Sequence, residues 1–375
     1  MSNTASNRLA SLDILRGFDM FFIMGSPIIF KALANITQCE PFIWWHEQMK
    51  HCEWDGFAIM DLVFPLFLFI AGISFPLSYD KRKNSNNFSK GYIYKHILKR
   101  VALLFLFGIL YNGCLDRLSF SEIRYGSVLG RIGIAWGIAA AIFMNTNRIA
   151  RISIFTAILL VYWLIMALFK APDAPLDATN FSSEGNIAGY LDRILLPGRL
   201  YKPGLYEAEG ILSTLPSIAT ALMGMFLGEF MLCKKENLTP AKKVVYILIA
   251  GAICILIGQL WNVILPINKI LWSSSFVLFA GGISLILFAL FYWVFDIKQK
   301  FNTFGLFFMV IGVNSIFIYL IQRIVKFNDI AQFFIKGLCS YLPDDWRLLM
   351  LGITRVTLCW LLLYYLYKKK TFLKI

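Results

Sequence analysis

The chain has 375 residues, 58% of them hydrophobic and only 15% charged, with a mean hydropathy of +0.67. An ordinary soluble domain, in which about a quarter of residues are charged, is excluded by that balance. The formal charge of +14 is explained by membrane topology and an anionic inner leaflet, so no nucleic-acid partner is expected.

A bilayer core of about 30 Å takes roughly 20 helical residues to cross. Apolar segments at 12–33, 61–79, 97–114, 128–145, 152–169, 212–232, 244–263, 274–295, 303–323 and 346–367 therefore read as ten membrane-spanning helices. Long continuous apolar runs, rather than short alternating ones, point to helices, whose backbone groups pair within the segment. The expected fold is all-α, a polytopic integral membrane helix bundle forming a single domain over 1–375.

Orientation follows from Lys and Arg, which are enriched in cytoplasmic connections. Residues 1–11, 80–100, 146–151, 233–243, 296–302 and 368–375 hold 20 basic residues against three acidic ones, Asp80, Glu236 and Asp296. The opposite connections hold more acidic than basic residues. Both termini are thus expected to be cytoplasmic, with the long connections 34–60, 170–211 and 324–345 outside. The first apolar run is too long for the h-region of a cleavable leader. No internal repeat is visible, which weighs against an inverted-repeat transporter.

In the first span, Asp13, Arg16 and Asp19 fall at i, i+3 and i+6. Asp13 and Arg16 are helix neighbours able to pair. Arg16, near the inner surface with Lys99 and Arg100, presents a planar cationic fork suited to phosphate oxygens. In the first outer loop Cys39 and Cys52 could pair in an oxidising compartment, which the sequence leaves undecided, while Cys114, Cys233, Cys254 and Cys359 read as small buried hydrophobes. No Cys/His spacing of a metal site occurs, so no metal is expected.

His51, Trp54, Ala58 and Asp61 are spaced at i, i+3, i+7 and i+10, which predicts one face of a helix running into the second span. An ionisable pair at the rim of a membrane domain usually faces a cavity and has a task. The bland alternative makes His51 a loop residue, Trp54 a member of an interfacial belt and Asp61 a helix N-terminal anion. His46, in an aromatic loop, and His96, in a basic stretch, are weaker candidates. Further along, Glu207 and Glu209 open the sixth span, as caps or as a cationic-sugar site. In the ninth span Asn314 and Ser315 interrupt an apolar helix, where interhelical bonding is the default reading.

Six pieces in this order resemble the heparan-alpha-glucosaminide N-acetyltransferase family. They are Ser11-Leu-Asp13 with Arg16-Gly17, the His51 to Pro65 stretch, Arg124 through Arg131-Ile, Glu209-Gly210 through Thr214, Pro266-Ile-Asn268-Lys269 through Trp272, and Gly312 with Asn314-Ser315. The resemblance covers nearly the whole chain. It implies a transmembrane transferase that moves acetyl from cytosolic acetyl-CoA to an amino sugar on the outer side. His51 takes the family's catalytic position, with Asp61 orienting it or stabilising imidazolium.

On that reading Arg16, Lys99, Arg100 and Asn314 are expected to hold the donor, and Trp54, Glu209 and Asn268 the acceptor. Lysosomal members of the family carry a luminal extension and an outer-half asparagine in the first span. Here Ile23-Met24-Gly25-Ser26-Pro27 stands at that place, and the chain is more similar to compact bacterial relatives, which implies a bacterial inner membrane. The expected partners are acetyl-CoA, an amino sugar and the lipid bilayer, and a homodimer is allowed. Two competing classes are a sugar O-acyltransferase and a transporter using Asp19, Asp61, Glu229 and Asn314 as its polar pathway.

Overall fold

The structure, a computed structural model, describes residues 9–84, 89–114 and 119–373. In chain order the helices are α1 (Ala10–Met24), α2 (Ser26–Thr37), α3 (Glu40–Gln48), α4 (Ile59–Lys83), α5 (Lys90–Tyr111), α6 (Val128–Asn145), α7 (Arg148–Leu168) and α8 (Ile187–Leu195). They continue with α9 (Ile211–Leu232), α10 (Pro240–Trp261), α11 (Ser274–Phe291), a π-helical turn (Tyr292–Ile297), α12 (Thr303–Gly312), α13 (Ser315–Ile324), α14 (Phe327–Cys339) and α15 (Asp344–Lys368). Among the described residues β pairing is limited to three isolated bridges.

Among the described residues seven helices are long and apolar enough to cross a bilayer: α4, α6, α7, α9, α10, α11 with its π turn, and α15. Two bent pairs, α1 with α2 and α12 with α13, qualify when each is taken together, which brings the number to nine. The expected third span is the helix α5, whose first half carries Lys90, Lys95, Lys99 and Arg100 and so falls short of that apolar standard.

The first expected span is not one straight helix. It turns by 61° between α1 and α2, because Gly25 adopts a φ of +141° and Pro27 lacks the N–H that would continue the ladder. The ninth is likewise bent, by 66° between α12 and α13. There the Asn314 amide turns to the chain's tail, donating to the Thr371 carbonyl (3.0 Å) and accepting from the Leu373 N–H (3.1 Å).

The centre of the bundle is α4 packed on α9, with α6 and α11 beside them. Backbones approach closely where small residues meet, as membrane helices require when lipid offers no hydrophobic drive. A side chain at Gly72 or Gly224 would run into the backbone of the facing helix, as would one at Gly17 where α1 crosses α12. By contrast α10 and α15 turn most of their apolar side chains outward, as lipid-facing helices do. Arg151 on α7 grips Glu229 on α9 through two bonds of 3.0 and 3.2 Å, so Glu229 joins helices instead of lining an open path.

Candidate active site

The segment from Met49 to Ala58 is not the helix that the spacing predicts; it is a loop between α3 and α4. Gly56, at φ +118°, takes a left-handed turn that a helix does not allow. The chain instead folds back over the first turn of α4, and Asp61 holds it there. One carboxylate oxygen accepts the N–H of Ala58 (3.1 Å) and of Cys52 (3.3 Å), and the other faces His51 Nδ1 at 2.8 Å. A carboxylate near a helix N-terminus gains from orphan N–H groups and the helix dipole. The expected pairing of His51 with Asp61 is present, made by a loop and a cap.

A second loop, between α10 and α11, is stitched to the first. Gly56 N–H donates to the Ile267 carbonyl (2.9 Å), and Asn268 donates to Asp55 (3.2 Å). Within this loop Asn268 Oδ1 accepts the Leu271 N–H (2.9 Å), while Ser273 Oγ accepts the Asn268 N–H (3.1 Å) and donates to the Pro266 carbonyl (2.7 Å). Trp272, fully buried, stands at φ +51° and donates its ring N–H to Thr220 (3.0 Å). A bulky residue held in the left-handed region is costly and persists only where its surroundings fix it.

The result of this rigidity is the placement of Lys269. Its Nζ lies 3.2 Å from Asp61 Oδ1 and 3.0 Å from His51 Nδ1. An ionised carboxylate only accepts, so the His51 Nδ1–H donates to Asp61 and Lys269 donates to the same oxygen. The lone pair then sits on His51 Nε2. Burial pulls the Lys269 ammonium below the usual lysine range, and the Asp61 and Glu209 carboxylates pull it back up. The Asp61 side chain is 1% exposed, whereas that of His51 is 53% exposed.

A third wall comes from the segment before α6 and the long 169–210 connection. Arg124 forks onto Glu207 and also reaches Glu209. Burial opposes ionisation of both carboxyls; Arg124 nevertheless holds Glu207 below the usual range, whereas Glu209 stays above it. Arg131 on α6 donates to Ser213 on α9 and lies over the Trp272 ring at 5.2 Å. Trp54 donates its ring N–H to the Phe181 carbonyl (2.7 Å) and leans on Tyr206. Behind this wall Asp192 on α8 caps α9 through the Ile211 N–H (2.8 Å), and burial pushes its carboxyl up to about 7.

These walls enclose a cavity of about 490 Å³, within the range of small-molecule sites, whose polar lining includes His51, Asp61, Lys269, Arg124, Arg131 and Glu209. It runs along α4 from Met60 to Phe67 and along α6 from Val128 to Ile132, with Met20 and Ile23 of α1 on another side. Of the nine residues singled out in the sequence, His51, Asp61, Trp54 and Glu209 line it. Asn268 lies just behind, fully buried, and acts on the loop geometry.

Arg16, Lys99, Arg100 and Asn314 lie outside the cavity. Asn314 is occupied by the tail, and Lys99 points outward. Arg16 pairs with Asp13 at 3.2 Å, and Arg100 stacks on Trp136 at 4.2 Å. Both nevertheless sit close to the cavity floor. Arg16 is four residues from Met20, and the Trp136 that carries Arg100 is four residues from Ile132, in each case one helical turn or about 6 Å. Lys269, Arg124 and Arg131 join the site without having stood out as site residues in the sequence. Nothing local marks them, since Lys269 meets His51 across 218 positions; their one signal is that they fall within the family-like motifs.

Cys39 and Cys52, expected as a candidate pair, are both free thiols.

Residues 8–260 match a family model described as heparan-alpha-glucosaminide N-acetyltransferase, catalytic. The mouse protein named heparan-alpha-glucosaminide N-acetyltransferase is 27% identical, in an alignment covering 99% of this chain and 61% of that protein. Its human counterpart is 28% identical, over 98% of this chain and 60% of that protein. The chain spans about three fifths of the length of these curated relatives.

Proposed function

Because the chain belongs to the heparan-alpha-glucosaminide N-acetyltransferase catalytic family, we propose that it moves acetyl from acetyl-CoA to the amino group of a glucosamine-type sugar. The observation that carries this reading is His51, half-exposed at a cavity, with Nδ1 committed to a buried Asp61 and Nε2 left as the free nitrogen. That is the arrangement in which an imidazole acts as nucleophile or base while a carboxylate fixes its tautomer.

The same lone pair serves two routes. In one, Nε2 attacks the thioester carbon, the carbon–sulfur bond breaks and CoA departs as thiolate; the sugar amine then attacks the acetyl carbon, the carbon–Nε2 bond breaks, and the proton the amine loses ends on the thiolate. In the other, Nε2 takes the proton of the amine as that amine attacks the thioester directly, the carbon–sulfur bond breaks, and the imidazolium returns the proton to the departing CoA thiolate. Asp61 stabilises the imidazolium character that develops in either case.

In this proposal acetyl-CoA enters from the cytoplasmic side and the sugar from the outer side of a bacterial inner membrane, with α5 as a tenth span and both termini inside. The inner cations Arg16 and Arg100, with Lys99 at the surface, take the anionic end of CoA, and the pantetheine arm passes the turn of α1 and α6 that separates them from the cavity floor. Trp54 and Glu209 receive the sugar, with Asn268 supporting the wall behind. Of the four residues of the transporter alternative, Glu229 is held in an ion pair and Asn314 is bound to the tail, which favours the transferase reading.

Rapid quench of the purified protein with acetyl-labelled CoA and no acceptor, followed by addition of glucosamine, tests the proposal. Labelled N-acetylglucosamine is expected, and label on His51 before acceptor addition identifies the covalent route. Absence of transfer to any amino sugar, with full transfer to a sugar hydroxyl, would move the assignment to an O-acyltransferase.

A further inference from the structure

Asp61 is almost wholly enclosed, yet it faces two groups able to carry positive charge, His51 and Lys269. A buried carboxylate needs a counter-charge. If the imidazole supplied it, His51 would be held as imidazolium, with Nε2 protonated and unable to take either an acetyl group or a proton. We propose that Lys269 is the counter-ion of Asp61, a positioning residue that leaves the His51 imidazole neutral and its Nε2 free. The inference rests on His51 being the reacting group of the proposed transfer.

Three features of the geometry support it. Lys269 donates to Asp61 Oδ1, the same oxygen that receives the His51 Nδ1–H, so the two cationic candidates compete for one site. Lys269 stands in a loop tied by Asn268, Ser273 and Gly56, which fixes where its stem leaves the backbone. It is also 3.0 Å from His51 Nδ1, close enough to repel a proton arriving on the ring. The Cys52 thiol beside Asp61 and the Glu209 carboxyl across the cavity also act on the pair, and Glu53, Arg124 and Arg131 stand on the same cavity lining. Of the two cations among these, Arg124 is engaged by Glu207 and Glu209 and Arg131 by Ser213.

The experiment tracks the ring itself. The chain has three histidines, His46, His51 and His96, so ¹⁵N-histidine NMR of the detergent-solubilised protein, assigned with His51→Ala, resolves the His51 titration. Lys269→Met is expected to move its midpoint upward by about one unit or more, the effect of removing a like charge at contact. Lys269→Arg is expected to leave it in place. Lys269→Gln, which keeps a donor to Asp61 without the charge, is expected to behave as Lys269→Met and replaces it should that variant not fold.

In transfer assays Lys269→Met or Lys269→Gln is expected to lose about three- to tenfold in kcat/KM at pH 7, the fall in neutral imidazole that a one-unit shift brings, and to recover most of it near pH 9, with the KM for acetyl-CoA little changed. An unmoved His51 midpoint in a folded Lys269→Met or Lys269→Gln protein would overturn the inference, as would a loss of activity equal at every pH. The NMR titration needs no turnover. A displaced midpoint in a protein that transfers no acetyl would sink the functional proposal and keep the counter-ion, and an unmoved midpoint in an active enzyme would do the reverse.

Discussion

Replacing Asp61 with Asn removes one charge and almost no volume, and the local hydrogen bonds dictate the outcome. The carboxylate accepts from four donors: two backbone N–H groups on one oxygen, and His51 Nδ1 and Lys269 Nζ on the other. An amide keeps one acceptor oxygen. Turning its NH₂ towards Cys52 and Ala58 would strand two backbone donors, at about 1–3 kcal/mol each, so the oxygen stays with the backbone and the NH₂ faces His51. The imidazole must then accept at Nδ1 and carry its proton on Nε2, which removes the reactive lone pair.

The equivalent wrong-tautomer substitution in a serine protease lowers kcat about 10⁴-fold, or about 5.5 kcal/mol of barrier at 1.36 kcal/mol per decade. A loss of about 10³- to 10⁴-fold is expected here, measured as transfer of labelled acetyl to glucosamine by the purified protein. Lys269 also loses its carboxylate. Because that lysine is a quarter exposed, the stability cost falls near the low end of the buried-pair range, about 3 kcal/mol, and thermal melting in detergent measures it separately. A folded Asp61→Asn protein within tenfold of the unsubstituted enzyme would refute the tautomer argument.

Arg100→Gln, beside the Trp136 ring that stands one helical turn from Ile132 of the cavity lining, is expected to raise the KM for acetyl-CoA about tenfold and leave that for the sugar unchanged; steady-state kinetics with each substrate varied checks both. Gly72→Val puts two methyl groups into the backbone of α9, and folded protein recovered by size-exclusion chromatography should fall to a trace, whereas Gly337→Ala, inside α14 with open space around it, should leave the yield of folded protein unchanged, since alanine suits a helix better than glycine. Asp192 gives a pH signature. Burial raises its carboxyl to about 7, above the unfolded value of about 3.9, so the folded protein binds the extra proton, and this contribution is present below about pH 4 and lost as pH rises to 7. The melting temperature of the parent protein minus that of Asp192→Asn should therefore fall across this window; a constant difference contradicts the assignment.

Much of this fold is written in residue order, and the limits of the sequence as a guide have physical causes. Apolar run length locates the helices because a bilayer sets one length for all of them, but run length carries no information about bends. The breaks at Gly25 and Asn314 arise from a positive φ next to a proline and from an amide engaged by the distant tail. At the site, His51 and Asp61 are legible as a pair, yet for the wrong local reason. A periodicity of i and i+10 suggests a helix face, whereas the loop is shaped by Gly56 and by backbone bonds to Asp61 itself. Lys269 and Arg131 have no local signature at all, since their roles exist only once α4, α6 and the loop before α11 are brought together.

The proposed function depends on His51 handing acetyl from a donor on one side of the membrane to an amine on the other. The most direct test uses sealed vesicles with the cytoplasmic face outward, labelled acetyl-CoA outside and glucosamine trapped inside. Labelled N-acetylglucosamine is predicted to accumulate in the lumen, to vanish with His51→Ala in a variant that melts as the parent does, and to be absent when donor and acceptor are exchanged between compartments. Undiminished lumenal product from the His51→Ala vesicles would contradict it.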